Sequence, residues 1–301
     1  MTDKKNEVKN EQAFDLESES ELRIEIEEEN IAFLTLKSGT AEIFGSELIL
    51  DKPITLNHGS KIAVYTWHGC NILLRVENII KENSHIHKLN VNKEENDDDN
   101  VDNKNLIDYI AYISKETPNI CYANTHAVLE RMRRSAKEKT TRGPRVMIVG
   151  PVDVGKSSLC ALLLNYAVRM GWKPIYVDLD VGQGSISIPG NLSAIQVEKT
   201  IDIEESYYLY SNTASPMVIH FGRISPGDNI KLYLHCITVL SQIVEKKCTD
   251  KPRGIISCIN IFKKKQLPIF INQDELIEKP KFSHNDLIKN ESSNLLNISY
   301  D

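Results

Sequence analysis

Residues Gly150-Pro151-Val152-Asp153-Val154-Gly155-Lys156-Ser157 satisfy the pattern GxxxxGK[ST]. These residue types in this order serve one kind of chemistry, the holding of a polyphosphate. Backbone N–H groups of such a loop and of the first helical turn after it converge on phosphate oxygens, aided by the positive end of the helix dipole. The candidate ligands of a nucleotide are therefore Asp153, Val154, Gly155, Lys156, Ser157 and Ser158. Lys156 is spaced to reach the β and γ phosphates, and Ser157 to place its hydroxyl on Mg²⁺. A second motif, "VDLDVGQGS" at 177 to 185, puts Asp178 and Asp180 on one side of a strand end. Carboxylates at the carboxyl end of a strand adjoin the nucleotide crevice of an open α/β sheet. Asp180, next to the Gly-rich turn, is the favoured residue to position Mg²⁺ or accept a hydroxyl proton. The plainer alternative is that both carboxylates cap the following loop.

These motifs need elements to hold them. "RVMIVG" reads as a buried strand, "KSSLCALLLNYAVRMG" as a helix ended by Gly171, and "KPIYVDLD" as a second buried strand. Downstream, "MVIHFG" and "GIISCIN" read as strands around the helical "NIKLYLHCITVLSQIVEKK". Strands alternating with helices of this length imply a mostly parallel sheet covered on both faces, the α/β architecture of a P-loop NTPase domain. From about Ser20 to Arg75, alternating Val, Ile, Thr and Tyr with regular turn signals predict a small all-β N-terminal domain ahead of it.

The expected organisation is a β domain over 14–118 with a disordered insert at about 79–106 and a linker helix over 119–144. An incomplete P-loop domain over 145–271 and a polar tail over 272–301 follow. In the linker helix, Ala127, Leu129, Met132 and Ala136 form the apolar side, with Arg131, Arg133, Arg134 and Lys137 outside.

Composition narrows the function classes. A net charge of -6 argues against coating nucleic acid by bulk electrostatics, so any RNA contact must be local. The six cysteines lack CxxC spacing and read as structural thiols. No run of about 18 apolar residues occurs, and the polar start lacks the apolar core of a signal peptide, so no membrane association is expected and the cytosol or nucleus is the expected compartment.

The pairing of "GPRVMIVGPVDVGKSSLCALLLNYAVRMG" with "PIYVDLDVGQGSISIPG" closely resembles the Clp-one family. These are polyribonucleotide 5'-hydroxyl kinases that are also subunits of the pre-mRNA cleavage and polyadenylation machinery. The likeness extends to "ESELRIE", "TAEIFGSEL", "GSKIAVYTWHGC", "NTHAVLERMRR" and "IHFGRISPGDNIKLY", spanning roughly residues 14 to 260. It implies ATP and Mg²⁺ as cofactors, RNA with a 5'-hydroxyl end and other cleavage-factor subunits as partners, and a nuclear location. It also implies that Lys156 and Asp180 are catalytic, that Ser157 and Asp180 serve the metal, and that Glu21 and Lys61 contact the base side of the nucleotide.

The resemblance ends after "GIISCIN". The family continues with a Thr-Cys-Gly-Trp segment that clasps the RNA end, an Arg-bearing lid and a C-terminal domain, none of which is recognisable here. Trp67 and Trp172 lie elsewhere, and Lys263 to Lys265 read as a solvated loop. Two readings follow for this chain: an RNA 5'-hydroxyl kinase, or a catalytically weak or inactive ATP-bound scaffold subunit. A P-loop switch ATPase is a third, which the flanking matches disfavour.

Overall fold

The computed structural model describes residues 10–27, 30–78, 109–151, 154–201, 204, 215–249, 261–264 and 295–297. The expected insert at 79–106, the "GIISCIN" strand, Val152 and Asp153 lie outside them. The chain divides into two units, 1–118 with 203–206, and 119–202 with 207–301.

The first unit is an all-β sandwich. Strands β1 (Asn10–Leu16), β3 (Asn30–Gly39), β6 (Pro53–Leu56) and β8 (Cys70–Asn78) form one sheet in the order β1-β8-β3-β6. The other runs β5-β4-β7-β2-β9, from β2 (Ser20–Ile26), β4 (Glu42–Ile43), β5 (Ser46–Glu47), β7 (Lys61–Thr66) and β9 (Tyr109–Ser114). Period-two alternation sends Leu22, Ile24 and Ile26 of β2 into one core with Ala32, Leu34 and Leu36 of β3 and Ile72, Leu74 and Val76 of β8. Glu21, Arg23 and Glu25 take the opposite face of β2. Between the sheets the chain passes Gly39, where a Cβ would lie 2.3 Å from the Gly69 carbonyl oxygen, so only glycine allows that approach.

The second unit is a layered α/β domain. Its helices are α1 (Asn119–Glu138), α2 (Lys156–Arg169) and α3 (Ile230–Thr249). Its strands are β10 (Arg145–Val149), β11 (Ile175–Asp178), β12 (Asn191–Gln196), β13 (Met217–His220), β14 (Ile261–Lys264) and β15 (Leu295–Asn297). They form one sheet in the order β13-β12-β11-β14-β10-β15, parallel from β11 through β15 and antiparallel at β12 and β13. Alternation assigns the layers: Val146, Ile148, Tyr176 and Ile195 pack with α2 and Leu129 of α1 on one face, while Ile175, Val177, Leu192 and Ala194 pack with α3 on the other. Helix α2 stops where expected, at Gly171, whose φ of 83° lets its N–H reach the Val168 carbonyl at 2.8 Å. Among the described residues no helix is long and apolar enough to cross a membrane.

Four placements differ from the expectation, the first being Ala127, which is exposed rather than on the packed side of α1. Residues 261–264, which include part of the lysine run read as a solvated loop, form the strand between β10 and β11. Leu295–Asn297, within the stretch read as a polar tail, pairs with β10. Arg133 is fully buried rather than outside, because four residues after Leu129 and three before Ala136 it falls on the inward stripe of α1. Its charge is met on the same helix: Arg133 Nη1 donates to Glu130 Oε2 at 3.1 Å, Trp172 Nε1 donates to the same oxygen at 2.7 Å, and Arg134 Nε donates to Oε1 at 2.8 Å.

Beside this network the His126 ring meets Tyr166 edge-on at 5.1 Å, and its Nδ1 is buried without a hydrogen-bond partner among the described residues. Burial, with Arg133 adding to it, pushes the imidazole down from 6.5 to about 4. The unfolded chain thus takes the proton first, so the stability this neutral ring provides is fully present above pH 6.5 and is lost as the pH falls toward about 4. Thermal melts across that window should show the wild-type midpoint falling faster than that of His126→Phe; parallel curves would refute the assignment.

Candidate functional site

Strand β10 ends at Val149, and the chain crosses the edge of the sheet before entering α2 at Lys156. Gly155 caps the helix in the left-handed region, φ 79°, with no side chain to occupy the first turn, and a Cβ there would meet none of the described residues within 4 Å. The helix N-terminus is therefore open at the point where its dipole favours an anion. Lys156 is 8% exposed although Val154, two residues earlier, is 53% exposed. The lysine folds over Gly150, where a Cβ would sit 3.7 Å from its Cδ, and its Nζ donates to the Pro151 carbonyl. Among the described residues the partner of this buried ammonium is a neutral carbonyl, and a polyphosphate would complement its charge. Ser157 and Ser158 sit half-buried on the same first turn.

Asp180 reaches the same edge from β11. Ile148 and Asp178 both lie level with Lys263 of β14, so Gly150 and Asp180 are each two residues beyond a common level. With one strand between them they are separated laterally by about 10 Å, twice the usual strand spacing. This is the carboxyl-edge position where open α/β sheets bind their ligands.

The two aspartates differ in employment. Asp178, 1% exposed, accepts the Asp180 N–H on Oδ1 at 2.9 Å and the Ser185 N–H on Oδ2. Both of its oxygens hold the loop. Asp180, 6% exposed, accepts the Gly182 and Gln183 N–H groups at 3.0 Å each, both on Oδ1. The turn leaves Oδ2 for other chemistry. Tyr233 donates its hydroxyl to the Leu179 carbonyl at 3.0 Å, and burial, reinforced by Asp180 and Asp178, holds this phenol far above its ordinary range. Burial likewise raises Tyr176, whose hydroxyl meets Ser185 Oγ at 3.3 Å. Both tyrosines stay protonated and brace the aspartate loop. Sequence reasoning missed them; the signal available was a tyrosine at an inward position of each element.

The donor set fits a hard cation shared with phosphates. Ser157 Oγ and Asp180 Oδ2 are oxygen donors, and among the described residues no group of three ligand-type side chains forms a dedicated metal cage. Mg²⁺ typically uses one or two protein oxygens, completed by phosphates and water.

The structure thus brings Lys156, Ser157 and Ser158 onto one helical turn and sets Asp180 on the same sheet edge. Val154 and Gly155 flank that turn, and Asp153 lies outside the described residues. Glu21 and Lys61 belong to the other unit. Glu21, 3% exposed, accepts from Arg23 Nε at 2.6 Å, whereas Lys61 is exposed and paired with Glu25. The register pairs Glu25 with Lys61 and Glu21 with Tyr65, so Glu21 and Lys61 share a face but stand roughly 13 Å apart along it.

Comparison with known proteins agrees with this architecture. Residues 15–136 match the N-terminal beta-sandwich domain of polyadenylation factor, and residues 150–261 match the mRNA cleavage and polyadenylation factor CLP1 P-loop. The polyribonucleotide 5'-hydroxyl-kinase Clp1 of Homo sapiens is 44% identical over 246 residues, 81% of this chain and 49% of that protein. The Danio rerio protein of the same name is 44% identical over 247 residues, 82% of this chain and 48% of its own. The chain spans about half the length of these relatives. A solved wild-type Clp1p–Pcf11p complex superposes with a TM-score of 0.67 at 25% identity, covering 85% of this chain and 54% of that one. A second Clp1p–Pcf11p structure, at 23% identity and a TM-score of 0.69, shares the fold. With a β-sandwich followed by a P-loop α/β domain, both matched, the chain belongs to the Clp1 family.

Proposed function

We propose that this chain binds ATP with Mg²⁺ on the Gly150–Ser158 loop and transfers a phosphoryl group to the 5'-hydroxyl end of RNA, as a nuclear component of pre-mRNA 3'-end processing. The observation that carries the reading is the buried Lys156 at an open helix N-terminus, on the sheet edge it shares with Asp180. Bound ATP with Mg²⁺ supplies the phosphoryl group and the cation that spreads its charge. The protein's part is positioning and neutralisation, which carry most of the catalysis in phosphoryl transfer. Lys156 and the N–H groups of the first turn of α2 hold the phosphate oxygens, and Ser157 offers Oγ to the cation. Asp180 Oδ2 accepts the proton of the RNA hydroxyl. The kinase name of the relatives and the Pcf11p partner in the related structures support the substrate and the assembly.

Incubation of the whole chain with γ-labelled ATP and a 5'-hydroxyl oligoribonucleotide should label the RNA, and the same oligonucleotide carrying a 5'-phosphate should take no label. A folded preparation that binds ATP and transfers nothing would remove the kinase reading and leave the ATP-holding scaffold.

A further inference from the structure

The two most exposed large apolar side chains among the described residues are Ile188, 73% exposed, and Ile224, 71%. One exposed isoleucine requires no explanation. These two stand on adjoining loops that both close on the Asp180 turn. Gly190 N–H donates to the Val181 carbonyl at 2.7 Å, and the N–H groups of Phe221 and Gly222 both donate to the Gly190 carbonyl at 2.9 Å. Asn191 Nδ2 donates to the Ile188 carbonyl at 3.1 Å while Asn191 Oδ1 meets His220 Nδ1 at 2.9 Å. The contacts are as close as glycine permits: a Cβ on Gly182 would lie 3.0 Å from the Ile224 carbonyl oxygen, and one on Gly184 2.7 Å from that of Ser187. The backbone that carries both side chains is therefore braced against the Asp180 turn. Arg223, next to Ile224, is exposed and carries no ion pair among the described residues.

We propose that Ile188 and Ile224 form an apolar fork that grips the first base of the single-stranded RNA acceptor, while Arg223 takes the phosphate that follows it. This rests on the RNA kinase reading above and names its acceptor subsite. Two side chains are far too small a patch for a stable protein interface, which buries more than about 1,000 Å². They match one face of a nucleobase, and the adjacent cation, which carries no ion pair among the described residues, matches a phosphate. Aliphatic groups offer the base no hydrogen bond, so the subsite accepts any base.

The test is fluorescence anisotropy of a 3'-labelled, 5'-hydroxyl oligoribonucleotide with the whole chain. The Ile188→Ser/Ile224→Ser double variant should bind about five- to tenfold more weakly, in line with the loss of one base contact. Its melting temperature and ATP affinity should stay unchanged. An oligonucleotide abasic at its first position should lose the same factor on the wild type and nothing further on the double variant. Arg223→Ala should lower the slope of log affinity against log salt by about one contact's worth. Equal RNA affinity of wild type and double variant overturns the fork and leaves the RNA reading standing. A wild type that binds ATP but no RNA overturns both.

Discussion

Lys156→Ala is expected to lower phosphoryl transfer to 5'-hydroxyl RNA on the order of 10³-fold, the scale seen when one cationic contact to a transferring phosphoryl group is removed. ATP affinity should fall with it, because the ammonium binds phosphate before the reaction as well as during it. The fold should survive. Lys156 opens α2, where alanine is a good helix former, and its Nζ is bonded to a loop carbonyl rather than to a core group. Circular dichroism melts alongside the transfer assay check this. Lys156→Arg keeps the charge but must fit a larger planar head where the lysine reaches the Pro151 carbonyl, so it should recover little. If Lys156→Ala instead lowers the melting temperature of the ATP-loaded protein and the recovery of partner subunits, with transfer absent from the wild type as well, the nucleotide serves as a structural brace.

How much of this was legible in the sequence depended on whether the deciding interaction was local. The phosphate loop was legible because strand, glycines, lysine and helix follow one another within two dozen residues, and the structure gives Gly155 the positive φ that such a loop uses. The sandwich was legible from period-two alternation. The burial of Arg133 was not legible from its charge, because it depends on helical position and on Glu130, three residues away, which pairs with it. The strand at 261–264 was hidden by its lysines, since chain order does not reveal which segment lies between β10 and β11. The proposed fork was hidden as well: Ile188 and Ile224 are far apart in sequence, and their loops come to one turn only because Gly182, Gly184 and Gly190 allow the close backbone approach.

The roles of Asp178 and Asp180 were the least separable by sequence, since alternation puts both on one side of the strand. The structure separates them by hydrogen bonds, and the separation is testable. In Asp180→Asn the amide oxygen can still accept from Gly182 and Gln183, so the turn should hold, but the remaining position becomes an NH₂ that accepts no proton and binds no cation. Transfer should fall about 10²- to 10⁴-fold, the range for loss of a general base. The melting temperature should not move, and ATP affinity should fall far less than the rate. Asp178→Asn should do the reverse. Both its oxygens accept backbone N–H groups, so the amide must turn a donor toward either Asp180 N–H or Ser185 N–H. Leaving one buried donor unmatched costs about 1–3 kcal/mol, visible as a lowered denaturation midpoint. Any loss of transfer should then follow the loss of folded protein. Equal loss of transfer in both variants, with both still folded, would mean that the two carboxylates share the proton and that hydrogen-bond employment does not assign the base.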